Sequence, residues 1–251
     1  MFNAVPSVFQ YDLLIPTYRP LRSGDWEIRI GQAVLCPGYW SGVSLVTGMA
    51  ALIRKGSTWM SMSPMELESQ EIGVRLAEGR VVIFGLGMGW SAAVSALSDR
   101  VSSVTVVELD SDVLELHREL DIFAQLPDQA RAKIRLVQGN AYDWRPDEPV
   151  DLLMPDIWLP LVSDDRIAEV RRMQANVQAK AIYFWGQEME IARHAVAAGR
   201  ELNAAGIAAT LVDFGLPLIG LDDPDYPEKL KRAALRRMGG RWLPGSSPPP
   251  Q

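Results

Sequence analysis

The chain has 251 residues, 48% of them hydrophobic and 22% charged, with a net charge of −6 and a pI near 5.1. That balance suits one large globular domain, or a main domain with an appendage. It excludes a generic electrostatic nucleic-acid binder, because phosphate contacts need a basic face. Cys36 is the one cysteine, so an intrachain disulfide is ruled out; its neighbours suggest a packed, unreactive thiol. His117 and His194, the two histidines, lie in charged helical-looking segments, which argues against a histidine metal site or triad. No apolar run reaches the roughly 18 residues of a membrane span. The first ten residues lack a basic, signal-like start. A cytoplasmic protein without a membrane or nucleic-acid partner is therefore expected.

In chain order, residues 1–62 are rich in Trp, Gly and Ser and punctuated by Pro6, Pro16, Pro20 and Pro37. Short strands are expected at 12–15, 26–30 and 33–36, with Gly31-Gln32 as a tight turn, and a helix over 42–53. This part reads as a small β-rich appendage. Ser63-Pro64-Met65-Glu66 starts a helix: Ser63 as cap, Pro64 in the first turn and Glu66 completing a capping box. The helix should reach Ala77, with Gly79 ending it.

From residue 80 the pattern alternates. Strands are expected at 80–84, 103–108, 133–138, 150–154, 180–185 and 207–213. Helices are expected at 89–98, 111–120, 164–176 and 187–204. Apolar strands alternating with helices imply a Rossmann-like α/β fold, a mostly parallel sheet with helices on both faces. Beyond it, 216–221 suggests a short strand and 227–238 a basic amphipathic helix. The positive run from Lys229 to Arg241 reads as a solvated face. The expected organisation is an appendage at 1–62, an α/β domain at 63–238 and a disordered tail at 239–251.

Chemistry concentrates at Gly85-Leu86-Gly87-Met88-Gly89, directly after Val81 to Phe84. Such a turn lets a ligand lie against bare backbone. About twenty residues on, a second apolar strand ends on Glu108, whose carboxylate can accept from both hydroxyls of a ribose. The third glycine falls at 89, so the loop is G-x-G-x-G rather than the G-x-G-x-x-G of dinucleotide sites. No Lys-Ser or Lys-Thr follows, which excludes a Walker loop. A single nucleoside is favoured over NAD or ATP.

On these residues the stretch 80–213 resembles the class I S-adenosylmethionine-dependent methyltransferases. Val81 to Gly89 and Val104 to Asp110 look most similar to the spermidine synthase branch, which also has a small N-terminal β-domain. The resemblance implies S-adenosylmethionine as cofactor, held by Gly85, Leu86, Gly87, Gly89, Glu108, Leu109, Asn140, Ala141 and Asp156. Leu86 and Met88 would line the pocket. Asn140 stands where the family has an adenine-binding Asp; its amide oxygen can accept the same bond without charge, and Asp143 is an alternative. Asp156, ending the fourth strand, is the expected catalytic base or orienting group. In spermidine synthases a further Asp follows in an Asp-Ser-x-Asp run, whereas this chain has Asp156-Ile157-Trp158-Leu159-Pro160. Gln70 and Trp158 are candidate substrate residues, and Glu66 a possible closing group. Met60, Met62 and Met65 are read as packing. Trp59, Trp90, Tyr142, Trp144, Trp158 and Trp185 suggest an apolar or aromatic acceptor or a cation cage. No metal is expected. The implied activity is methyl transfer to a small molecule, with two alternatives. These are aminopropyl transfer from decarboxylated S-adenosylmethionine and a silent nucleoside- or partner-binding relative. A homodimer is allowed. Residues 1–62 and 214–238 are expected to form the acceptor pocket.

Overall fold

A computed structural model describes residues 7–246. The tail expected at 239–251 lies partly outside this range; within it, Trp242 packs against the core.

The N-terminal part is a four-stranded antiparallel sheet in the order β1 (Leu21–Ser23), β2 (Trp26–Pro37), β3 (Val43–Arg54), β4 (Ser57–Ser61). Three expectations fail here. Gly31 and Gln32 continue β2 instead of turning, and 42–53 is strand rather than helix. The expected strand at 12–15 forms none. In β3 the local signal of Met49-Ala50-Ala51-Leu52 loses to non-local pairing. Its register on β2 runs from Trp26↔Arg54 to Pro37↔Val43. The β-branched Val43, Val46 and Thr47 fit a pleated surface, and Gly48 takes a φ of 66° that breaks a helix. Tight turns form instead at Gly24-Asp25 and at Lys55-Gly56, the latter with both residues at positive φ as a type I′ hairpin loop requires.

Helix α1 (Pro64–Leu76) follows, with the Ser63 hydroxyl accepting from the Glu66 amide at 3.4 Å. It leads into a five-stranded parallel sheet made of β5 (Gly79–Phe84), β6 (Val101–Glu108), β7 (Ile134–Gln138), β8 (Leu152–Pro155) and β9 (Ala181–Ile182). Their spatial order is β7-β6-β5-β8-β9. The connecting helices are α2 (Trp90–Leu97), α3 (Ser111–Leu120), the short α4 (Asp128–Arg131) and α5 (Arg166–Val177). Because the order reverses at β5, right-handed crossovers place α2 and α3 on one face and α5 on the other. The reversal opens a crevice at the carboxyl ends of β5 and β8. The core is continuous through the sheet, with Phe84, Val104, Val106 and Leu153 fully buried.

After β9 the chain is helical: α6 (Gln187–Ala197), α7 (Ala204–Phe214) and α8 (Tyr226–Arg237). The strand expected at 207–213 is thus a helix. Asn203 caps it by accepting from the Gly206 amide at 2.9 Å, Gly215 ends it, and its alanines favour it. The strand expected at 180–185 shortens to two residues, which a single bridge from Leu218 flanks. The basic face of α8 is not simply solvated. Lys229 pairs with Asp223 at 2.9 Å and lies over the Trp40 ring, and Arg237 donates to the Gly38 carbonyl. The positive run therefore anchors the β2–β3 turn. Among the described residues no helix is long and apolar enough to cross a membrane.

Candidate functional site

A cavity of about 660 Å³ opens at the sheet's reversal point, between the carboxyl ends of β5 to β8 and the N-terminal sheet. That is the size of a small-molecule site. The first wall comes from the sheet ends. Gly85 leaves β5 with φ 94°, and a Cβ there would stand 2.0 Å from the Asp156 carbonyl oxygen, so only glycine fits. Gly87, φ 50°, presents bare backbone to the cavity. Glu108 ends β6, half-buried on the cavity wall. Its two carboxylate oxygens accept from the Leu86 amide at 2.9 Å and the Asp110 amide at 2.8 Å. Burial pushes the carboxyl above its ordinary pKa, and the two amides oppose that push. Each oxygen keeps a lone pair for a ligand hydroxyl.

Leu109 projects beside it, 66% exposed, an apolar side chain held at the cavity rim. Gly139, Asn140, Ala141 and Tyr142, which follow the neighbouring β7, also line the cavity. Asn140 is partly committed. Its Oδ1 accepts from the Tyr142 amide at 3.0 Å and its Nδ2 donates to Asp143 at 3.0 Å. Asp143 pairs with Arg172 and is not on the cavity wall.

Two carboxylates face the floor. Gln70 Nε2 donates to Asp156 Oδ2 at 2.7 Å. Burial raises the Asp156 pKa to about 7, with Arg166 pulling the other way. Glu66 is buried on α1, its pKa driven well up by burial and by the charge of Asp156. Its side chain does not return to Ser63 as a capping box would; it lines the cavity instead. The charge of Asp156 thus disfavours ionising Glu66 at the same time. The bond from Gln70 favours the charged form of Asp156. Trp158 stacks on the guanidinium of fully buried Arg166, 3.9 Å from its ring centre. Arg166 is itself fixed by the carbonyls of Pro160 and Trp185.

The second wall is the N-terminal sheet: Trp26, Leu52, Arg54, Trp59 and Met60. Trp26 meets Trp59 edge-on at 5.3 Å and donates to Asp110 at 2.9 Å, and Arg54 lies over Trp26 and 3.4 Å from Asp110. Asp110 also accepts from the Asp112 amide, capping α3. It binds the two sheets together at the end of β6.

Of the residues expected at the site, Gly85, Gly87, Glu108, Leu109, Asn140, Ala141, Asp156 and Trp158 line the cavity. Leu86, Gly89 and Gln70 do not. Leu86 is buried and acts through its amide on Glu108, Gly89 starts α2 at φ 74°, and Gln70 stands behind Asp156. The Met88 side chain is also buried and does not line the cavity. From the aromatic set, Trp59, Tyr142 and Trp158 reach the cavity; Trp90, Trp144 and Trp185 do not. The segment 214–238 contributes nothing to the lining; α8 packs on α6 instead. Trp26 and Arg54 were not legible as site residues, because only the β2–β3 register places them opposite Asp110.

No family model and no curated protein matches the chain. Partial likenesses exist among solved structures. The glycopeptide N-methyltransferase MtfA complexed with S-adenosyl-L-homocysteine is 22% identical over 44% of this chain and 43% of that one, with a TM-score of 0.35. DhpI complexed with S-adenosylhomocysteine is 23% identical over 44% and 50%, TM-score 0.31. The methyltransferase domain of bacterial CtHen1 is 19% identical over 43% and 57%, TM-score 0.32. This chain thus spans only about half the length of each of these structures.

Proposed function

We propose that this chain is an S-adenosylmethionine-dependent methyltransferase acting on a small-molecule acceptor. One observation carries the reading. Glu108, at the end of the strand beside the glycine loop, holds its carboxylate on the cavity wall with lone pairs left for two hydroxyls. The surroundings fit a nucleoside: bare backbone at Gly85 and Gly87, apolar Leu109 and Ala141 in the lining, and the Asn140 oxygen with one lone pair free.

S-adenosylmethionine, when bound, supplies a methyl group already activated on a sulfonium. The chain's own task is then alignment and exclusion of water. Glu108 orients the ribose. Trp59 and Trp158 shield the reacting end. Asp156, with a pKa near 7, takes a proton from the acceptor nucleophile as its new bond to carbon forms, and Gln70 keeps the accepting oxygen in place. A second reading, aminopropyl transfer from the decarboxylated cofactor, draws on the paired carboxylates of Glu66 and Asp156, which suit an amine. The N-terminal antiparallel sheet supports kinship with the spermidine synthase branch. The absent second acid after Asp156 speaks against both.

Calorimetry with S-adenosylhomocysteine tests the reading. Micromolar binding is expected, weakened at least about 100-fold by Glu108→Ala, the worth of two hydrogen bonds to a charged group. Absence of binding at millimolar ligand to folded protein overturns it. Tighter binding of the decarboxylated cofactor favours the second reading.

A further inference from the structure

The Gly87–Met88 peptide is gripped on both sides. Its carbonyl oxygen lies 2.9 Å from His117 Nε2, and its N–H donates to the Met60 thioether at 3.2 Å. The next carbonyl, of Met88, accepts from the Tyr18 hydroxyl at 3.0 Å. A carbonyl only accepts, so Nε2 carries the imidazole proton. His117 is 3% exposed, on the face of α3 behind the glycine loop. Burial lowers its pKa to about 4, so it is neutral at pH 7. Its Nδ1 is buried without a partner, a cost tolerated for the one bond to Gly87. Phe123 stacks on its ring at 6.1 Å, and a Cβ on Gly89 would come within 2.8 Å of its Cε1. The imidazole therefore has one orientation open to it.

This grip decides where the Met88 N–H points. With the carbonyl of Gly87 held toward α3, the N–H of the same planar peptide faces the opposite side, and there it meets Met60, a residue of the cavity wall. A thioether is a weak acceptor on a flexible side chain. A carboxylate would bind this amide far better.

We propose that His117 is a positioning residue: it aims the Met88 amide at the cavity, and Met60 occupies the place that the carboxylate of the cofactor's amino-acid end takes on binding. This rests on the methyltransferase reading. The path runs through one peptide unit, so His117 should govern the amino-acid end of the ligand and leave the nucleoside end, held by Glu108 and Leu109, unaffected.

The experiment compares two probes on the full chain. S-adenosylhomocysteine carries the amino-acid end, and 5′-methylthioadenosine lacks it. His117→Phe keeps a ring and removes the donor, whereas His117→Gln restores an N–H. His117→Phe is expected to weaken S-adenosylhomocysteine about tenfold and 5′-methylthioadenosine less than twofold, with His117→Gln recovering most of the loss. Equal weakening of both probes, or no rescue by Gln, overturns the proposal and leaves His117 a packing residue. Should His117→Phe not fold, the wild-type Met88 amide resonance decides. It must move on adding S-adenosylhomocysteine and stay in place with 5′-methylthioadenosine; the same movement with both overturns the proposal. Failure of the wild-type chain to bind either probe instead overturns the methyltransferase reading itself.

Discussion

The cavity has two walls built on different physical terms. The wall at the ends of β5 to β8 is set by backbone: the glycine loop is bare, and the Leu86 and Asp110 amides fix where the Glu108 carboxylate stands. The wall from the N-terminal sheet is side chain throughout, with Trp26, Arg54, Trp59 and Met60 projecting from β2 to β4. Backbone hydrogen bonds and positive φ angles tolerate little change, whereas projecting side chains can be exchanged while the strands beneath them persist. A first wall fixed by backbone geometry and a second whose side chains can be exchanged is the division this construction permits. Asp110 joins the two, capping α3 while accepting from Trp26 and facing Arg54.

The sharpest way to break the first wall is Gly85→Ala. The backbone there sits at φ 94° and the new Cβ meets the Asp156 carbonyl at 2.0 Å. A loss of about 3 kcal/mol or more is expected from strain and overlap, lowering the thermal midpoint by roughly 6–12 °C; scanning calorimetry reads it. Next is Asp156→Asn. The wild-type rate should rise with pH through about 7, as burial sets the Asp156 pKa there. The variant should lose roughly a hundredfold in turnover, together with that rise, while S-adenosylhomocysteine affinity changes less than threefold. A pH–rate profile once an acceptor is found, and calorimetry before that, separate the two effects.

On the second wall, Trp26→Phe keeps the ring stack and deletes the bond to Asp110. A loss of about 1 kcal/mol in stability is expected, with S-adenosylhomocysteine binding unchanged; denaturant titration measures the first. The smallest effect lies outside both walls. Glu188 is fully buried, accepting from the Tyr39 and Tyr183 hydroxyls, and burial raises its pKa to about 7. The folded protein therefore holds this proton more tightly than the unfolded chain. Its contribution is full below pH 4.5 and is lost as pH rises through 7. Glu188→Gln should flatten the fall of the thermal midpoint between pH 5 and 8. The slope does not vanish, since Glu66 and Asp156 act in the same direction.

The two walls were also unequally legible in the sequence. Val81 to Gly89 and Val104 to Glu108 announce themselves by local means: an apolar strand, then glycines or an acid at its end. The parallel sheet has buried strands, and that burial is written as continuous apolar runs. Strand β3 hides its nature because its stability comes from pairing along the length of β2, which no local window contains. Helix α7 hides for the opposite reason: Leu211, Val212 and Phe214 suggest a strand, while the Asn203 cap and the alanines specify a helix. The same difference explains the site. Glu108 and Asp156 follow strands and were placed by counting. Arg54 reaches the cavity only because it pairs with Trp26 across the hairpin, and His117 only because α3 lies behind the loop.

The most direct measurement is a crystal structure of the full chain with S-adenosylhomocysteine. Both Glu108 carboxylate oxygens are expected within about 3 Å of the two ribose hydroxyls, with the adenine between Leu109 and Ala141 and the sulfur facing Asp156. A nucleoside bound elsewhere, or a ribose turned away from Glu108, would contradict this placement.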